Sequence, residues 1–202
     1  MDVFEVLILV AAAAAPIVEL GEREEFDLAL SAAPDHLKER AGVYRLTDGG
    51  YELVRPSTNG FNCLVAREAN SGIGPLCFDR EGSETTLKAL ILQGRLMREG
   101  KSAEDIDRLV DAAYRRGELI APRKPGISYM LSNHFRQVSP KTGKDECIFP
   151  PHVMLYAPYL KNSDIGAEDS RGSTHLPWIL NEGKPNAYIL VVPHGTDVNS
   201  CR

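Results

Sequence analysis

None of the four cysteines stands in a CxxC pair, so zinc ribbons and thioredoxin-type redox chemistry lack their signature. There is no Gly-x-Ser-x-Gly elbow and no P-loop, and Gly72-Ile73-Gly74 lacks the third glycine and following helix of a dinucleotide site. None of the five histidines lies four residues from another, which excludes a helical zinc pair. No basic face is concentrated either: the densest group is Arg115-Arg116 followed by Arg123-Lys124, and the net charge is −5. Phosphate-backbone binding needs such a face, so nucleic acid is not an expected partner. Beyond the N-terminus there is no repeat, heptad run or low-complexity tract.

Long hydrophobic runs are missing too. The longest, 6–18, reaches only about 20 Å as a helix against a hydrocarbon core of about 30 Å. Such a run suits the h-region of a secretory signal, and Ala11 to Ala15 offer small-residue cleavage sites. Residues 1–20 are therefore read as an export leader, and 21–202 as a single globular domain with no membrane association once the leader is removed. The expected location is periplasmic or extracellular. The alternative is a buried N-terminal helix in a cytoplasmic protein. Asp2, Glu5 and Pro16 depart from the usual leader pattern.

What is present fits an ordinary folded domain, with 43% hydrophobic and 25% charged residues in a chain of 202. Cys63, Cys77, Cys147 and Cys201 suit an exported protein with one or two disulfides. Three pairings exist. Cys63 with Cys77 is preferred because that short segment can double back, and the pairing of Cys147 and Cys201 stays open.

Alternating apolar residues at 43–46 and 51–54 around Thr47-Asp48-Gly49-Gly50 predict a β-hairpin, and 61–66 a third strand. The period then changes. Leu87, Leu90 and Ile91 share one helical face, as do Ile106, Leu109, Val110 and Ala113, with Gly100 between them. This predicts helices at 84–99 and 103–117, forming a helical hairpin. Strands are expected again at 126–131, 153–156 and 187–192. The pattern implies an α+β fold with a mostly antiparallel sheet and the hairpin inserted in it.

Several short peptides stand out. They are Asn59-Gly60-Phe61-Asn62-Cys63, Pro75-Leu76-Cys77-Phe78-Asp79, Gly126-Ile127-Ser128-Tyr129-Met130-Leu131, Pro151-His152-Val153-Met154, and Gly183-Lys184-Pro185 before Val192-Pro193. In this order they resemble a family of uncharacterised bacterial proteins that usually carry export leaders. The resemblance covers roughly 32–193. It implies an exported domain and no particular activity, cofactor or partner. A related branch carries a histidine where this chain has Tyr188.

His152 is the best single candidate for chemistry. Pro150-Pro151 fix the backbone on entry, and an imidazole there can exchange protons near neutral pH. The competing expectation is a half-buried histidine bonded to backbone. Asp79 and Glu81, two apart, would share one side of an extended segment, as acid–base pairs and hard-cation sites require. The simpler expectation is charge placed at a helix N-terminus. Cys63 with His152 suggests a thiol nucleophile, against which the disulfide competes. Tyr129, Met154, Tyr156 and Trp178 belong to an aromatic and thioether set on the late strands that suits an apolar pocket for a small ligand. The leading expectation is an exported small-ligand binding or structural domain. The alternatives are a hydrolase using His152 with Asp79 or Glu81, with or without a metal, and a partner-binding module working through the helices.

Overall fold

The computed structural model describes residues 16–68, 72–139 and 141–196. Most of the expected leader, 1–15, and Cys201 lie outside the described residues. Residues 17–20 contact the folded body: Ile17 and Leu20 pack on core clusters, and Val18 O accepts from Arg67 Nε at 2.8 Å.

Alternation resolves into strands where it was expected. β1 (Gly42–Thr47) and β2 (Gly50–Arg55) form an antiparallel hairpin across Asp48-Gly49, with Thr47 opposite Gly50. Gly50 turns the chain at φ 111°, a conformation that only glycine adopts freely. β3 (Asn62–Glu68) runs parallel to β1 and antiparallel to β4 (Gly72–Phe78). The sheet continues through β5 (Ile127–Met130), β8 (His152–Tyr156), β10 (Tyr188–Val191) and β9 (Trp178–Leu180), all antiparallel. A side ribbon of β6 (Arg136–Val138) and β7 (Asp145–Cys147) touches β4 at Ile73. The fold is α+β with a ten-stranded, mostly antiparallel sheet.

β4 is absent from the sequence expectations because Gly72, Gly74 and Pro75 are residues strands avoid. Its position explains how they are tolerated. Beyond β3, the other edge of β4 pairs only at Ile73 and at Cys77–Phe78, leaving a gap at Pro75 where no N–H is needed.

Each face of the sheet has its own cover. One face, with Val43, Cys63, Val65 and Cys77, packs on Ala29, Ala32 and Ala33 in and just after α1 (Glu22–Ser31). A short turn of helix, α2 (Asp35–Lys38), leads from there into β1. Alanines at this contact let the helix backbone lie close to the sheet. Glu22, Glu24 and Glu25 sit in the first turn of α1, where the helix dipole favours them.

The opposite face carries Leu64, Leu76, Phe78, Met154 and Leu190. After α3 (Arg80–Glu84), the helix α4 (Thr86–Arg98) covers part of it with Leu87, Leu90 and Ile91. Burying Leu87 alone is worth about 1.5–3 kcal/mol. The other side of α4, through Ala89 and Leu96, meets Ile106, Val110 and Ala113 of α5 (Ala103–Arg115). Ser102 caps α5, accepting from Asp105 N at 3.2 Å. The buried stripes of both helices are thus spent inside the fold, which removes them as a docking face for a partner.

Candidate functional site

Strand alternation places His152 and Met154 of β8 on the sheet face toward α4, beside Tyr188 and Leu190 of β10. The register sets Met130 opposite His152, Met154 opposite Leu190, and Leu190 opposite Trp178. Because α4 and α5 cover only part of this face, a cavity of about 450 Å3 remains between helices and sheet. Its walls are apolar: Met130, Met154, Trp178 and Leu190 from the strands, Leu90 and Val110 from the helices, and Phe135 and Phe149 from the segments around the side ribbon. Gln93, Asp107, Asp111, Asn181, Lys184 and Asn186 add polar groups, with Asp107 and Asn181 exposed to solvent.

His152 is one of the buried polar residues of the chamber wall, with Arg67, Thr86 and Tyr188, and is about 1% exposed. Nδ1 lies 2.8 Å from Pro150 O. A carbonyl oxygen only accepts, so Nδ1 carries the proton. Phe149 stands edge-on to the imidazole at 5.2 Å between ring centres, and Phe135 lies at 6.1 Å. Burial pushes the pKa of His152 down to about 4, only partly opposed by the bond to Pro150. The ring is therefore neutral at physiological pH. Nε2 has no hydrogen-bond partner among the described residues. Tyr188 is also in the wall, with its phenol pushed up to about 12 by burial.

Asp79 and Glu81 lie elsewhere. Asp79 caps α3, its Oδ1 accepting from Gly82 N at 2.9 Å and from the Tyr156 hydroxyl at 3.1 Å. Its Oδ2 accepts from Ile127 N at 2.8 Å. Glu81 Oε1 accepts from Arg123 N at 2.6 Å, anchoring the segment that leads into β5. Asp79 contacts Tyr156 at the end of β8, whereas His152 begins that strand, about 13 Å away at the usual rise. The structure does not bring His152 together with either carboxylate. Both acids accept from backbone N–H groups, Asp79 from its place at the N-cap of α3 and Glu81 from the first turn of that helix. Among the described residues no three His, Cys, Asp or Glu side chains converge as a metal set would.

The aromatic and thioether set is divided in the same way. Met154 and Trp178 line the cavity. Tyr156 shares their face but is tied up with Asp79, with Ile127 O at 3.0 Å and with Ser128 Oγ at 3.3 Å. Burial raises its pKa strongly. Tyr129 points to the opposite face, where it packs against Phe61 and the α1 cluster. Cys63 and Cys77 face each other across β3 and β4 in a disulfide, fully buried beneath α1. No thiol nucleophile exists at Cys63.

The sequence reading missed Phe135 and Phe149, which sit in irregular segments with no period, and Leu90 and Gln93, which a helical period alone cannot aim. One usable signal was the spacing of two between His152 and Met154 and between Tyr188 and Leu190. No family model matches the chain, and no curated protein or solved structure shows significant similarity to it.

Proposed function

We propose that this protein binds a small, largely apolar molecule in the chamber between its sheet and α4–α5. The observation that carries the reading is the cavity of about 450 Å3, its wall largely apolar and aromatic, with a few buried polar groups, the His152 imidazole among them, and a polar mouth. Ligand sites are typically concave spaces of roughly 300–1,000 Å3, lined by apolar and aromatic groups with a few placed polar atoms. Export supplies the context: the buried Cys63–Cys77 disulfide suits an oxidising compartment, and among the described residues no helix is long and apolar enough to cross a membrane. The contacts of residues 17–20 with the body support a leader cut upstream of Ile17.

The test uses the protein's own reporter. Trp178, the only tryptophan in the chain, forms part of the chamber wall. Titration with the neutral dye N-phenylnaphthylamine should give saturable energy transfer from Trp178 at one dye per chain. Absence of transfer, or a signal that never saturates, would overturn the reading.

A further inference from the structure

We infer that the chamber selects a neutral ligand carrying one hydrogen-bond donor, a hydroxyl or N–H on an otherwise apolar body, which donates to Nε2 of His152. The inference rests on the binding reading above and names the chemistry that the site accepts.

Three observations support it. First, the bond from Nδ1 to Pro150 O at 2.8 Å fixes the tautomer, so the lone pair of the ring lies at Nε2. Second, that nitrogen has no partner among the described residues, although the side chain is about 1% exposed and forms part of the chamber wall. The nitrogen is not among the sealed, unpartnered polar atoms of the described residues, so its lone pair stays reachable from the chamber, and a ligand that supplies a donor gains a hydrogen bond there. Third, the surrounding charges disfavour an anionic head group. Asp107 and Asp111 set two carboxylates against the single ammonium of Lys184, which lies 3.7 Å from Asp111. Arg67, the other cation lining the chamber, is already paired with Glu25 at 2.9 Å. The neutral state of the imidazole, with its pKa held near 4 by burial, agrees with this, because it offers no positive charge to a carboxylate.

The experiment is displacement of bound N-phenylnaphthylamine from the full chain by three probes of similar length: decanol, nonyl methyl ether and decanoate. Decanol and the ether carry the same heavy atoms, and only decanol donates. Decanol should compete about tenfold better than either of the others, the factor expected for one added hydrogen bond. In His152→Phe the ratio of decanol affinity to ether affinity should fall to about one, whatever the substitution does to the affinity of both. Should that variant not fold, the imidazole nitrogen shifts of histidine-labelled wild type give the second readout. Nε2 should move on addition of decanol and stay fixed with the ether. Equal competition by decanol and ether, or stronger competition by decanoate, overturns the inference and leaves the binding reading standing. Failure of the dye itself to bind removes both.

Discussion

Glu25 of α1 and Arg67 of β3 form an ion pair 2.9 Å apart, with side chains only 1% and 2% exposed. Glu25 Oε1 also accepts from Leu46 N at 3.1 Å, and Arg67 donates to Val65 O at 2.7 Å and to Val18 O at 2.8 Å. One buried pair thus ties α1, β1, β3 and the entering chain together. A contact of 2.9 Å is an ion pair even though Arg67 Nη2 makes no well-directed hydrogen bond.

Removing one partner strands the other charge. Glu25→Leu or Arg67→Met should each lower stability by about 3–5 kcal/mol, whereas the two changes together should cost far less than the sum of the single changes. Urea unfolding of the four proteins checks this. Simple additivity would show that the pair is not coupled.

Acid should destabilise the fold through His152. The imidazole titrates near 4 when folded, against 6.5 as its ordinary value. Between those pH values the unfolded chain takes up a proton that the folded chain excludes, so stability falls as pH drops through the window and levels off below it. The difference amounts to about 3 kcal/mol at order of magnitude. His152→Phe should flatten that limb relative to wild type in unfolding curves taken across the window. An unchanged slope would mean that His152 is not the group responsible.

Asp79 is expected to act on stability and not on binding. Asp79→Ala removes the cap of α3, leaves Ile127 N unpartnered and takes one of the partners of the Tyr156 hydroxyl, a loss of about 2–4 kcal/mol. Gly126→Ala should hurt the same place, because a methyl group there overlaps Asp79 Oδ2 and the Tyr156 ring. Dye affinity of folded Asp79→Ala should match wild type. A large drop in affinity would place Asp79 in the functional site after all.

The Cys63–Cys77 disulfide closes a short loop, with a sequence separation of 14. Replacing both cysteines by alanine should cost roughly 3 kcal/mol by the chain-entropy estimate. Mass mapping without reductant should recover both residues in one linked peptide pair. Recovery of alkylated Cys63 would contradict the bridge.

Much of the fold was legible because period and punctuation agree. The hairpin turn at Asp48-Gly49, the helical stripes through Leu87 and Ile106, and the alternation of His152 with Met154 each reflect local geometry. What stayed hidden depends on long-range placement. β4 survives its glycines and Pro75 because of a gap in its neighbours, and α1 shows alanines to the sheet in place of a strong apolar stripe. The site was legible by halves. His152, Met154 and Trp178 stand together, while Tyr129 faces the other side, Asp79 and Tyr156 brace the far end of β8, and Glu81 holds the segment that enters β5. Which face a residue takes follows from register, and register is set by partners far away in the chain.

The central claim is that the chamber between α4–α5 and the sheet is where a ligand sits. Leu90 on α4 lines this chamber and is only half-buried, so Leu90→Trp fills the space from the helix side with little demand on the core. The direct measurement is the dissociation constant of N-phenylnaphthylamine, read from the dye's own emission, for wild type and Leu90→Trp. The account predicts at least about tenfold weaker binding in the folded variant, on the scale of 1.4 kcal/mol per factor of ten. Equal affinity in a folded Leu90→Trp protein would place the dye elsewhere and contradict it.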